Sequence, residues 1–110
     1  MLWRVGPAGL IEISGDNGAT WTVQTSGVTS DLFSGSAPSE KSCWIVGNAG
    51  TILRTVDGGA HWVQVASPIS GDLRGIDATD ALHATLWDTE GKQAFQTADG
   101  GATWTPLSDK

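Results

Sequence analysis

The sequence predicts an all-β chain of propeller-type blades, and three observations carry that expectation. An eight-residue text recurs as SGDNGATW at 14–21, TVDGGAHW at 55–62 and TADGGATW at 97–104, with closing tryptophans 41 and 42 residues apart. Between the copies lie short runs rich in β-branched or aromatic residues and bounded by Gly, Pro, Ser, Asn or Asp. None of these runs carries the i, i+3, i+4, i+7 spacing of an amphipathic helix. A period of about 40–45 residues built from four strands marks a propeller blade.

The elements follow in order. LWRVGPAGLIEIS, from Leu2, aligns on CWIVGNAGTILRT, from Cys43, with Trp3 over Trp44, Gly6 over Gly47 and Gly9 over Gly50. The first unit, 1–30, therefore lacks its opening strand. The second, 31–71, reads DLFSGS, CWIVG, TILRTV and HWVQVAS, four strands separated by turn residues. The third, 72–110, opens on DLRGIDATD, 41 residues after DLFSGSAPS. It continues with ATLWDTEGKQAFQT, which puts Leu86 at the position of Trp44, Trp87 at that of Ile45 and Thr89 where the first glycine stood. The extra residue of this last period is expected between Gly75 and Leu86, in the turn around Asp80 to His83, because insertions in repeats map to loops.

One domain, 1–110, thus holds about 2.75 four-stranded blades, whereas propellers close with about four to eight. An open stack of this size leaves two apolar blade faces and unpaired strand edges in water. Two copies would bring together about six blades. The expectation is a homodimer closing a six-bladed ring, with the missing inner strands left as a gap or replaced by a swapped strand. The competing explanation is a piece of a longer propeller.

Composition narrows the classes. Hydrophobic residues make 39% of the chain and charged ones 16%, the balance of a folded domain with one core. Six basic residues, scattered, stand against twelve acidic ones, so no basic face exists for nucleic acid or for an anionic membrane surface. Cys43 is the single cysteine, which excludes an internal disulfide and a thiolate zinc site, and its place in CWIV reads as a small buried hydrophobe. No segment approaches the run of about 20 apolar residues of a membrane span. The opening residues lack the charged and apolar regions of a secretion signal, so a soluble chain of open compartment is expected.

Within the octapeptide, Asn17-Gly18, Asp57-Gly58 and Asp99-Gly100 are expected at the centre of tight two-residue hairpins, since such pairs tolerate positive φ. The preceding Asp can accept bonds from loop amides while the Ser or Thr hydroxyl makes another. The closing Trp is an anchor, worth several kcal/mol at about 25 cal/mol per Å² buried.

These octapeptides resemble Asp-box repeats, the motif of bacterial-neuraminidase-repeat proteins. The longer stretch GNAGTILRTVDGGAHWVQV is similar to a blade of the photosystem II stability/assembly factor family of propellers. The likeness covers nearly the whole chain. It implies that Asp16, Asp57 and Asp99, with Gly18, Gly59, Gly101 and Trp21, Trp62, Trp104, are structural residues on the face away from a ligand. It implies no particular activity, because Asp-boxes occur in enzymes, receptors and binding proteins alike. The assembly-factor family forms a longer ring with more blades than this chain holds.

Catalysis finds little support in the residues. A glycosidase needs two carboxyl groups about 5–9.5 Å apart, and the three box carboxylates recur on successive blades about 10 Å apart. Sialidases use three arginines and a tyrosine nucleophile; here Arg4, Arg54 and Arg74 occupy unrelated positions and tyrosine is absent. His61 stands in the slot of Thr20 and Thr103, and His83 lies in a drifted loop, so neither marks a triad. The acids Asp72, Asp77, Asp80, Asp88 and Glu90 do not match a calcium-loop spacing. No catalytic residue, metal or cofactor is expected.

The residues that depart from the repeat without a packing reason are the candidates for binding. Arg74 replaces Phe33 on an inner strand, Arg54 replaces Ile13, and Trp87 stands with Asp88 beside the degenerate turn. Arg and Trp are enriched in interface hot spots. Three functions compete: a non-catalytic protein-interaction or assembly module, which leads; a lectin-like module using Trp87 and Asp88 as a sugar platform; and a hydrolase, in third place.

Overall fold

The computed structural model describes residues 2–24, 26–39, 41–69, 71–88 and 93–107. Blade 1 is the antiparallel sheet β1 (Leu2–Gly6), β2 (Leu10–Ser14) and β3 (Thr22–Gln24). Blade 2 follows as β4 (Leu32–Ser36), β5 (Cys43–Gly47), β6 (Ile52–Thr55) and β7 (Val63–Gln64). Blade 3 is β8 (Leu73–Ala78), β9 (Ala84–Asp88), β10 (Ala94–Thr97) and β11 (Thr105–Pro106). The strands of each sheet are neighbours in chain order, as a meander requires, and the stack measures 45 × 25 × 20 Å. Blade 1 has β1 at its inner edge, where β4 and β8 cover the corresponding strands of the other two.

Packing explains why β5 is apolar along its whole length. Its alternate side chains serve two junctions: Cys43 and Ile45 pack toward blade 1 with Ile11, Leu32 and Leu53, while Trp44 and Val46 pack toward blade 3 with Ile52, Leu73 and Leu86. A strand covered on both faces reads as a continuous hydrophobic run rather than an alternating one. The outermost strands are the opposite case. HWVQVAS reads as a strand over 61–67, yet β7 spans only Val63–Gln64, both exposed. It has one neighbouring strand and little burial to hold a longer ladder, and beyond it only Val65 N donates to Ile52 O, at 2.8 Å.

Strand register corrects the alignment of the third unit. Ser36 pairs with Trp44 and Asp77 with Thr85, the same separation, so the turn around Asp80 to His83 carries no extra residue. Cys43 pairs with Thr55 whereas Ala84 pairs with Thr97, a separation longer by one. The insertion belongs to the β9–β10 connection, whose Thr89, Glu90 and Gly91 lie outside the described residues. Thr85, not Leu86, therefore occupies the slot of Trp44, and Trp87 occupies that of Val46 rather than Ile45. Matching the bulky Leu86 to Trp44 displaced the gap; backbone pairing fixes it.

The outer faces also differ from the expected apolar pair. Arg4 and Glu12 pair across blade 1 at the positions where blade 2 pairs Ile45 with Leu53. Arg4 Nε donates to Glu12 Oε1 at 2.6 Å, and the guanidinium carbon lies 4.1 Å from the Trp21 ring centroid. On the far side of blade 3, Thr85 and Gln96 replace Trp44 and Arg54. The central positions of both faces are therefore polar where the inner junctions are apolar.

Candidate partner-binding site

Each blade has two ends, and the repeated octapeptide lies at one of them. In blade 2, Thr55 Oγ1 donates to Asp57 Oδ1 at 2.7 Å and accepts from Gly59 N at 3.0 Å. Asp57 accepts from His61 N at 3.0 Å through Oδ1 and meets His61 Nδ1 at 2.7 Å through Oδ2. Asp16 and Asp99 repeat this pattern, with the hydroxyls of Thr20 and Thr103, each at 2.6 Å, in place of the imidazole. The side chains of Thr20 and Thr103, and then their amides, hold those two carboxyls down at about 2; for Asp57 the His61 ring comes first and the Thr55 hydroxyl second, with the same result.

The turn inside the octapeptide is displaced from its expected centre. The left-handed pairs are Asn17-Gly18, Gly58-Gly59 and Gly100-Gly101, so Asp57 and Asp99 precede the turn instead of forming it. The connections between strands run over 15–21, 56–62 and 98–104, longer than two-residue hairpins. The carboxylate needs that extra chain to fold the loop amides around itself. Gly59 and Gly101 also allow a close approach between blades: a Cβ there would fall 2.1 Å from Gln24 Oε1 and 2.3 Å from Val65 Cγ1.

The octapeptide tryptophans cross the junctions. Trp62 meets Trp3 edge-on with ring centroids 5.6 Å apart, and Trp104 meets Trp44 likewise at 6.1 Å. All three octapeptide indoles are half-buried; the fully buried one is Trp44, whose Nε1 donates to Asp80 O at 3.2 Å. Arg54 stands beside it, half-buried, its Nε donating to Ala81 O at 2.7 Å and its guanidinium 5.5 Å from the Trp44 ring. Arg54 is thus placed at the blade 2–blade 3 junction, away from the other candidates.

At the opposite end the β1–β2 and β5–β6 connections are 3-10 turns, Pro7–Gly9 and Asn48–Gly50. The carboxylate just before the following blade's first strand caps each: Ala8 N donates to Asp31 Oδ1 at 3.0 Å and Ala49 N to Asp72 Oδ1 at 2.8 Å. The 41-residue spacing of these two aspartates was visible in the sequence, but its cause, a tie between blades, was not. Asp72 is therefore committed to a backbone amide, and Asp80 accepts from the Leu82 and His83 amides, both at 2.8 Å, while its carboxyl is lowered chiefly by the His83 ring. Glu90 lies outside the described residues.

The inner strands bring the remaining candidates together. Both β4 and β8 carry an irregularity after their buried leucine, which turns Phe33 and Arg74 outward at equivalent positions. Both are exposed, and Arg74 makes no hydrogen bond or ion pair among the described residues. Across the β8 irregularity, Leu73 pairs with Asp88 and Gly75 with Trp87. Trp87 lays its ring over Gly75, where a Cβ would fall 2.3 Å from Cζ2. Arg74, Trp87 and Asp88 thus share one corner of blade 3. Phe33, the counterpart of Arg74 in the repeat, belongs to the same exposed row.

Comparison with known proteins places this architecture. Two solved structures superpose on nearly the whole chain. One, described as YCF48 bound to D1 peptide, shares 28% identity with a TM-score of 0.87, over 98% of this chain and 36% of that one. The other, YCF48 from Cyanidioschyzon merolae, shares 27% with a TM-score of 0.84, over 98% of this chain and 33% of that one. The chain spans about a third of the length of both. No match is found among curated proteins. The family described as Photosynthesis system II assembly factor YCF48 matches residues 1–109, so the likeness takes in every blade, turn and link described above, and the chain belongs to that family.

Proposed function

We propose that the chain is a non-catalytic protein-interaction module of assembly-factor type, and that it recognises an extended segment of a partner protein along the inner strands of blades 2 and 3. One observation carries this reading: a relative with the same fold over 98% of the chain is solved with the D1 peptide bound. Arg74 offers a guanidinium that is exposed and uncommitted among the described residues, and Phe33 offers apolar surface at 45% exposure on the neighbouring strand. Trp87 and Asp88 support the backbone behind Arg74. In the same reading Asp16, Asp57 and Asp99 are turn staples, since their oxygens are taken up by their own loops, and Arg54 clasps two blades.

Titration of the D1 peptide against the intrinsic tryptophan fluorescence of the chain tests the reading. Saturable binding is expected, weakened about tenfold or more by Arg74→Ala, the scale of an arginine hot spot. Arg54→Ala should leave the affinity unchanged once the folded fraction is matched. A chain that stays folded and does not respond to the peptide would remove the proposal.

A further inference from the structure

We propose that Asn17 is a self-modification site, at which the Gly18 nitrogen cyclises onto the Asn17 side-chain amide and the Ser14 hydroxyl sets the rate. Asn17 and Asn48 are the two asparagines of the chain, and Asn17 alone precedes a glycine. Both residues of the pair hold left-handed backbone, Asn17 at φ 63° and Gly18 at φ 91°. The reaction needs no partner but water. Gly18 N gives up its proton and bonds to Asn17 Cγ, the amide Cγ–N bond breaks, and the amine leaves with that proton as ammonia. Water then opens the succinimide at either carbonyl, which leaves an aspartyl or an isoaspartyl residue at position 17.

The fold holds the reacting nitrogen. Gly18 N donates to Ser14 Oγ at 2.8 Å, and Ser14 is buried, at 1% exposure. Ser14 Oγ in turn donates to Asp16 Oδ1 at 2.8 Å, so its own proton is spent and its oxygen stays an acceptor for Gly18. Asp16 is fixed from the other side by Thr20, whose amide and hydroxyl donate to it at 2.9 and 2.6 Å. A nitrogen whose proton lies on a buried hydroxyl neither meets base nor turns to the neighbouring side chain. Cyclisation therefore proceeds from the open turn, and its rate follows the fraction of time the Ser14 bond is broken.

The chain's other asparagine and its two Asp-Gly pairs are held differently. Gly58 N, after Asp57, donates to Lys41 O, and Gly100 N, after Asp99, to Leu82 O, each at 3.0 Å and each to another connection of its own blade. Asp57 and Asp99 are ionised at neutral pH with both carboxylate oxygens engaged, and a carboxylate is a far poorer electrophile than a neutral amide. Ala49 N, after Asn48, donates to Asp72 Oδ1 at 2.8 Å, beyond its own blade. The Gly18 bond closes inside its own loop, four residues from end to end. Opening one turn frees it, whereas the other three need separate parts of the chain to part.

An isoaspartyl link adds one carbon to the main chain before Gly18 N, so the amide no longer meets Ser14 and the turn stays open. Blades 2 and 3 carry Gly58 and Gly100 at the place of Asn17, which confines the change to blade 1. Neither the Arg74 corner nor a bound peptide enters this chemistry, and the two proposals stand separately.

The test incubates the whole chain at pH 8 beside a synthetic SGDNGATW peptide and follows position 17 by peptide mapping with isoaspartate detection. The chain should convert about tenfold or more slowly than the peptide, the effect of a turn that is open only part of the time. Ser14→Ala should speed conversion of the chain about threefold or more, the scale of one hydrogen bond released. Thr20→Val loosens the same loop without touching the Gly18 bond, and at a folded fraction matched by circular dichroism it should convert more slowly than Ser14→Ala. A chain that converts as fast as the peptide, or Ser14→Ala and Thr20→Val chains that convert alike, would overturn the gate. Absence of product from the Ser14→Ala chain long after the peptide has converted would overturn the site.

Discussion

Asp57 shows how a surface carboxylate is put to use inside its own loop. With its carboxyl held at about 2 against the ordinary 3.8, the unfolded chain takes up a proton before the folded one does. The stabilisation is whole above pH 3.8 and is lost as pH falls through about 2; Asp16 and Asp99 act in the same window. Melting temperature should therefore drop between pH 4 and pH 2, and Asp57→Asn should melt lower than the parent at pH 7 while the gap narrows toward pH 2. A constant gap across that range would detach Asp57 from acid stability. Cys43 makes a contrasting case: burial pushes its thiol up to about 12, so at pH 8 it should react with a disulfide reagent only as fast as the chain opens. The hydroxyl, carboxylate and glycine of the octapeptide could be read from the sequence because all their partners lie within four residues. The indoles could not, because Trp62 and Trp104 find theirs in the preceding blade.

Among the elements, the turns carry more constraint than the strands. Gly50 ends a 3-10 turn at φ 72°, and a Cβ there would sit 2.4 Å from Ile69 O in the link to the next blade. Left-handed backbone alone costs about 1–2 kcal/mol for a residue with a Cβ, and the clash adds to it. Gly50→Ala should thus lose more than about 2 kcal/mol, while Gly71→Ala, which faces open space, should stay within about 0.5 kcal/mol. Equal effects in denaturant titration would deny the tie between turn and link. Arg54→Ala should cost about 1–2 kcal/mol by releasing the Ala81 carbonyl and uncovering Trp44. The four-strand rhythm was legible because each run is bounded by turn residues. Strand register in blade 3 was not: adjacent Thr85, Leu86 and Trp87 offer several matches to Trp44 and Ile45, and only the pairing of Ala84 with Thr97 chooses among them.

For the molecule as a whole, the decisive feature is the mismatch between its two outer faces and its inner junctions. Inner junctions are apolar and interlocked by paired indoles, whereas a ring closed by two copies would bring the Arg4–Glu12 face of one against Thr85, Trp87 and Gln96 of the other. Burying an ion pair forfeits hydration that its mutual attraction only partly returns, and matched apolar replacements often stabilise such interfaces. A ring of this kind would close through a weak seam, open at low concentration. Arg4→Ile combined with Glu12→Leu, which copies the pair found in blade 2, should move the monomer–dimer midpoint to at least tenfold lower concentration in light scattering. Arg4→Ile alone should weaken association, because Glu12 would be buried without its partner. If the double variant remains a monomer at every concentration, two-copy closure is wrong.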